Sequence, residues 1–319
     1  MTIPTKTRIN YSFMKILTGS DLAKRRIPYM IADSQREGPN VWLTACMHGD
    51  EIGGTVILHE LFKRLKKGLL RGSIHALPLL NPFGLETVSR NIALSKEDLN
   101  RSFPGDEKGT LAQRIAYKIF RKITEIKPAL VLDLHNDWTR SIPYALLDPK
   151  TGDAMDSSIR SYAESTGLLL IQDTDLISSS LTYNLILNDI PAFVLERGES
   201  YTINEKNIVT GLKAVWNILQ HLNMAETDTN EFSYSLPASI KGKLLKYSPL
   251  PLSSSSGILR FYVKPGDIVQ KGQRIARVYN AFGKLSETIF SVNNAIVIGV
   301  TDTAISFPGS PIMAFGVLS

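Results

Sequence analysis

The chain has 319 residues, 43% of them hydrophobic, which is enough for a large core and for more than one domain. Its formal net charge of +6 is scattered, and the densest basic run, Lys63-Arg64-Leu65-Lys66-Lys67, closes a predicted helix, where cations complement the helix dipole. Without an aromatic-rich basic surface nucleic acid is excluded as a partner, and the one cysteine, Cys46, excludes an internal disulfide and a multi-cysteine metal site.

Through about residue 223 short β-branched runs alternate with amphipathic segments, the pattern of an α/β domain. Strands are expected at 8–17, 27–32, 41–46, 74–80, 129–135, 168–171 and 191–196. Helices are expected between them, at 55–66, 110–126, 156–165, 180–187 and 204–222; Gly109-Thr110 opens the second and Lys127-Pro128 ends it. Residues 226–231 read as a polar linker, and beyond them short β-type runs are broken by Gly, Pro and Ser. Two domains follow, an α/β unit at 1–228 and a smaller all-β unit at 229–319. Residues 257–273 resemble a strand and turn of lipoyl- or biotinyl-type carriers, but the tip Phe282-Gly283-Lys284-Leu285 lacks a carrier lysine's flanks, so a barrel-like sandwich is expected. No apolar stretch reaches membrane-spanning length, and the first residues lead into no signal-peptide core. A cytoplasmic protein with no membrane partner is therefore expected.

The run Ala45-Cys46-Met47-His48-Gly49-Asp50-Glu51 joins a predicted strand to a predicted helix. Residues three apart in a helix's first turn share a face, so His48 and Glu51 can converge on one cation; by themselves they also read as a helix-capping polar turn. His135 ends the apolar run Ala129-Leu130-Val131-Leu132-Asp133-Leu134. Both histidines then lie at carboxyl ends of strands, where open α/β sheets bind ligands. Two imidazoles and a carboxylate suit one zinc ion with a coordination position left open for water. Farther on, Asp98-Leu99-Asn100-Arg101-Ser102-Phe103-Pro104-Gly105 sets an amide beside a guanidinium fork, the pair that holds a substrate carboxylate.

These segments, with Asn81-Pro82-Phe83-Gly84, Arg90, Asp133-Leu134-His135 and Leu195-Glu196, resemble in composition and order the succinylglutamate desuccinylase/aspartoacylase family, a branch of the zinc carboxypeptidase superfamily. The run Val278-Tyr279-Asn280-Ala281-Phe282-Gly283 looks like the family's C-terminal half. The resemblance implies a zinc-carboxypeptidase-like mixed sheet flanked by helices, with a smaller barrel-sandwich-like domain covering the cleft. It also implies one zinc ion held by His48, Glu51 and His135, with Glu196 as general base. Arg90 would polarise the scissile carbonyl, and Asn100 and Arg101 would hold the carboxylate of the amino-acid portion.

Some positions keep two readings. Glu196 can instead pair with its neighbour Arg197, and Glu199 is a competing carboxylate. Asp133 shares a strand face with His135, so it either supports that ring or merely solvates a strand end. Arg140 is the candidate second cationic site for a distal carboxylate, with solvent as its other fate. Trp138 and Tyr144 line the pocket or pack in the core, and His59, His75 and His221 read as structural.

The expected activity is zinc-dependent deacylation of an N-acyl amino acid or related small acylated amine, with an anionic substrate. Carboxypeptidase action is the alternative, since the same zinc, base and clamp serve it, and a C-terminal module over the cleft favours small substrates. A non-catalytic ligand-binding homologue would have lost a ligand or the base, yet all four positions are filled. A homo-oligomer is compatible with the sequence.

Overall fold

The computed structural model describes residues 7–19, 22–66, 68–149, 152–226 and 232–318. Its first half runs β1 (Arg8–Thr18), β2 (Lys24–Asp33), β3 (Asn40–Ala45), α1 (Gly53–Leu65), β4 (Ser73–Leu77), α2 (Pro82–Glu86), α3 (Leu111–Thr124), β5 (Leu130–His135), β6 (Arg140–Ser141), β7 (Tyr144–Leu147), α4 (Asp153–Ser165), β8 (Leu169–Gln172), α5 (Leu181–Ile186), β9 (Ala192–Glu196) and α6 (Glu205–His221). The second half is all strand: β10 (Leu244–Ser248), β11 (Gly257–Phe261), β12 (Ile268–Val269), β13 (Arg274–Tyr279), β14 (Leu285–Phe290), β15 (Ala295–Val300), β16 (Ile305–Ser306) and β17 (Met313–Val317).

Strands β4, β3, β5 and β9 lie side by side and parallel at the centre. A parallel sheet covered on both faces needs apolar residues throughout rather than alternation, and every residue of β5 is buried. Helix α1 packs on β3, β5 and α6, while α3 packs on β1 and α5. The sequence sets these helices locally. Thr110 and Gln113 close a capping box at the start of α3, and Ala112, Ile115, Ala116, Ile119 and Ile123 recur at helical spacing on its buried face.

From β3 the chain goes first to β4 on one side and later to β5 on the other. Such a reversal opens a crevice at the carboxyl ends of the strands, and the turn after β3 and the end of β5 meet there. The antiparallel pairing of β7 with β9 was not legible in the sequence, because Tyr144–Leu147 is short and lies between Pro143 and Asp148-Pro149.

Beyond β8 the main sheet continues through β10, β17, β15 and β12, giving thirteen strands among the described residues, β6 included. A separate antiparallel sheet runs β14-β13-β11-β16, and its Leu259, Ile275, Val278 and Ile289 share an apolar cluster with Val297, Met313 and Phe315 from β15 and β17. The fold class is thus the expected mixed α/β sheet with an additional small β sheet. The expected domain boundary after residue 228 lies outside the described residues. Among those described, no helix is long and apolar enough to cross a membrane.

Candidate active site

Strand β3 ends at Ala45, and Cys46, at φ 52°, takes the left-handed conformation that turns the chain out of the sheet. The turn that follows rests on a second one. Leu80 and Asn81 donate their N–H groups to the carbonyls of Ala45 and Cys46, and Gly49 donates to Ser89 O at 3.0 Å. Asn81 also caps α2 by accepting the Gly84 N–H at 2.9 Å. The two turns touch backbone to backbone: a Cβ on Gly49 would lie 1.9 Å from the Gly84 carbonyl carbon, so only glycine fits.

This close approach sets His48 and Glu51 facing each other before α1 begins at Gly53. Their convergence comes from the turn and not from a first helical turn, a correction to the spacing argument. His48 Nδ1 lies 2.6 Å from Glu51 Oε1, and His135 Nδ1 lies 2.8 Å from Glu51 Oε2. The outer ring nitrogens are each held by a carboxylate, His48 Nε2 by Asp98 at 3.2 Å and His135 Nε2 by Asp133 at 2.8 Å. Asp133 is itself fixed by the Thr44 hydroxyl at 2.7 Å. An imidazole that gives its outer N–H to a carboxylate offers its other nitrogen as a ligand. The three donor atoms lie within 4.8 Å of one another and are buried, so the residues fit a divalent ion of the zinc type.

Burial opposes charge on all three groups, but their mutual attraction exceeds it. Glu51 and Asp98 raise His48, and Asp133 and Glu51 hold His135 well above the usual imidazole range. The two histidines in turn hold Glu51 well below the carboxylate range.

Glu196 ends β9 in register with His135 and lines the same cavity, of about 400 Å³. Burial pushes its carboxyl up to about 8; the charges of Asp137 and Glu51 add to this, and His135 and Arg197 oppose it. Its Oε2 has no hydrogen-bond partner among the described residues. Strand alternation turns Arg197 to the opposite side, where it is buried and donates to Asn136. Glu199 is engaged elsewhere, accepting from the Asn204 amide at 2.7 Å.

Arg90 reaches Asp98 Oδ2 at 3.0 and 3.1 Å and holds Nη1 3.7 Å from Glu51 Oε1, with its side chain half exposed. Asn100 and Arg101 line the cavity too. Asn100 Oδ1 accepts the Leu181 N–H at 3.0 Å, which fixes the orientation of its amide. Arg140 is not brought in: it is exposed on β6, its guanidinium 5.3 Å from the Phe261 ring centre. Trp138 lines the cavity, whereas Tyr144 is buried and donates to Asp137 at 3.0 Å. His75 is stacked in the core on Trp42, His59 is exposed on α1, and His221 ends α6 against Tyr162.

Several residues in and around the cavity escaped the sequence reading. Asp98 stands in the same run as Asn100 and was open to reading as a histidine's carboxylate partner. Asp148 and Asp173 line the wall near Leu146, Ile177 and Thr182. Burial, with the Asp173 charge, pushes Asp148 up to about 6 against a Thr182 hydrogen bond. Asp148 follows the unread strand β7, so no local pattern marked it. Asp302 arrives from the loop after β15 and accepts the Thr139 N–H at 2.6 Å, a meeting visible only in three dimensions.

A model of the succinylglutamate desuccinylase/aspartoacylase catalytic domain matches residues 37–222. The N-alpha-acetyl-L-2,4-diaminobutyric acid deacetylase of Halomonas elongata is 26% identical over 282 residues, covering 85% of this chain and 80% of that one. Among solved structures, a succinylglutamate desuccinylase from Silicibacter sp. TM1040 superposes with a TM-score of 0.84 at 18% identity, covering 100% of this chain and 97% of that one. The product-bound ectoine utilization protein EutE from Ruegeria pomeroyi superposes with a TM-score of 0.81 at 21% identity, covering 100% and 98%. At these identities the structural likeness concerns the fold.

Proposed function

Since the chain belongs to the succinylglutamate desuccinylase/aspartoacylase family, we propose that it is a zinc-dependent deacylase of N-acyl amino acids, selective for those that also carry a cationic side chain. The observation that carries the hydrolytic reading is the convergence of His48, Glu51 and His135 beside Glu196, which lines the same cavity. When bound, the zinc ion would act as a Lewis acid on the acyl carbonyl and make water acidic enough to attack.

The chain's own groups supply the rest. Glu196, on the cavity wall, takes the proton of the attacking water on its carboxylate and delivers it to the leaving amine. Arg90, anchored on Asp98, carries a fixed positive charge to the rim where the carbonyl oxygen gains negative charge. Asn100 and Arg101 bind the substrate carboxylate: with its oxygen committed to Leu181, the Asn100 amide offers its NH₂ group. Arg140, exposed beside Phe261, takes no part in this proposal.

The charge of the cavity narrows the substrate. Asp148 and Asp173 face it near apolar Leu146 and Ile177, which suits an ammonium on a short carbon stem better than a second carboxylate. This agrees with the diaminobutyrate derivative named for the Halomonas relative. Asp302, at the rim, supports a C-terminal half that restricts access to small molecules.

The test is a turnover screen of zinc-loaded protein against N-α-acetyl-2,4-diaminobutyrate, N-acetylaspartate, N-succinylglutamate and dipeptides. The acetyl diamino acid is expected to give the highest kcat/KM, and Asp148→Asn to lower that value roughly tenfold or more, as loss of a charged hydrogen-bond partner does. Preference for the dicarboxylic substrates would overturn the cationic selectivity, and hydrolysis of dipeptides alone would establish the carboxypeptidase reading instead.

A further inference from the structure

Arg197 is 1% exposed and among the largest fully buried side chains of the protein. A guanidinium is rarely enclosed in this way unless something balances it. Its cradle is made of glycines: a Cβ on Gly53 would lie 3.1 Å from Nη1, one on Gly54 2.9 Å from Nη2, and one on Gly211 3.2 Å from Cδ. Gly53 and Gly54 open α1, whose N-terminal dipole is unfavourable for a cation, so helix and arginine would repel each other without nearby anions. The largest charges acting on Arg197 are those of Glu196, Glu51 and Asp133. One belongs to the proposed base, one to the proposed metal ligands, and one fixes the His135 ring.

The hydrogen bonds show what the guanidinium holds. Arg197 Nη2 donates to Asn136 Oδ1 at 3.1 Å, while Nε and Nη1 have no partner among the described residues. With its oxygen so engaged, Asn136 must turn its NH₂ the other way, where it donates to Gly198 O at 2.7 Å and Glu199 O at 2.9 Å. A flipped amide would set NH₂ against guanidinium and oxygen against two carbonyls. The backbone N–H of the same Asn136 donates to Glu51 Oε2 at 3.1 Å. One residue thus ties a metal-ligand carboxylate to the segment that follows Glu196, and Arg197 sets its orientation.

We propose that Arg197 is a positioning residue: from beneath the site it locks Asn136, and through it Glu51 and the Glu196 segment, while its fixed positive charge attracts the neighbouring carboxylates. This rests on the hydrolytic reading above. The guanidinium adds one fixed positive charge beside the carboxyl groups of Glu196, Glu51 and Asp133. The side chain touches no reacting atom, so its effect is exerted through Asn136 and through the field.

The experiment compares Arg197→Met, Arg197→Lys and Asn136→Asp with the parent protein. Zinc affinity is read by competition with a chromophoric chelator, folding by circular dichroism and Tm, and kcat and KM on the parent's best substrate. Arg197→Met is expected to weaken zinc binding by about 10- to 100-fold, the usual effect of removing a group that orients ligands, and to lower kcat with KM nearly unchanged. Arg197→Lys restores the charge but not the planar fork, so zinc affinity should recover more than kcat. Asn136→Asp keeps an acceptor for Arg197 but loses the NH₂ donor, and should lower kcat in a folded protein. If Arg197→Met does not fold, Asn136→Asp decides. Parent-like zinc affinity and kcat in folded variants, or a fall in Tm alone, would overturn the proposal. If the parent hydrolyses none of the substrates, the hydrolytic reading fails, while the zinc measurement still reports on Arg197.

Discussion

Glu196 stands one strand away from His135, and that neighbourhood would separate the proposed proton transfer from the proposed metal binding. The two histidines of the proposed metal site have outer partners of their own in Asp98 and Asp133, so altering Glu196 should leave that ligand set intact. Glu196→Gln is therefore expected to bind zinc like the parent but to lose about 10²- to 10⁴-fold in kcat, the range for a general base. Full turnover in that variant would remove Glu196 from the proposed reaction. At this scale the sequence was informative wherever chemistry and local order coincide. His48 and Glu51 stand in a turn, Asn100 and Arg101 in a short 3₁₀ helix and Glu196 at a strand end, and all reach the cavity. Arg140 did not, because five residues after His135 the chain has already entered β6 and left the crevice. Asp148 went unread because the strand that delivers it is too short to show a pattern.

At the scale of elements, β2, β3 and β4 are joined by a stack of rings: Tyr29 on Trp42 at 5.6 Å and Trp42 on His75 at 5.1 Å. His75 also lies 2.5 Å from the Tyr29 hydroxyl and 2.9 Å from the Ser73 hydroxyl, so both ring nitrogens are engaged. Burial, helped by Lys122 and opposed by Asp33, lowers its pKa to about 4. The unfolded chain therefore takes up this proton near pH 6.5, well before the folded one does. The contribution is present in full above that pH and is lost as the pH falls toward 4, by up to about 3 kcal/mol. Urea unfolding of the parent should show this loss between pH 6.5 and 4, and His75→Gln should show a shallower dependence over the same window. An unchanged slope in the variant would place the proton uptake elsewhere. That His75 is structural was readable from its place in a predicted strand. The aromatic sandwich around it was not, since its rings come from three strands.

For the whole molecule, the proposed zinc site joins the turn after β3 to the end of β5, and Asp98 brings in the loop before α3. A ligand bound only by the folded state stabilises it by about 2.7 kcal/mol at a hundredfold excess over its Kd. For a domain of some 200 residues that is a rise in Tm on the order of 5–10 °C. Zinc should raise Tm by about this amount near neutral pH, and a chelator should reverse it. The shift should shrink in acid, because Glu51, Asp98 and Asp133 draw protons onto the two imidazoles, and a metal must displace them. A Tm insensitive to zinc and chelator alike would contradict the proposed site. By itself the sequence determined the α/β pattern, the capped helices and the residue types of the proposed hydrolytic centre, because periodicity, capping and motif order are local properties of a chain. Only the tertiary structure decided which carboxylates hold the histidines, that the cavity wall is acidic, and that a buried arginine lies beneath the site. Those facts depend on strands far apart in sequence lying side by side, and on space left by glycines whose partners no local pattern names.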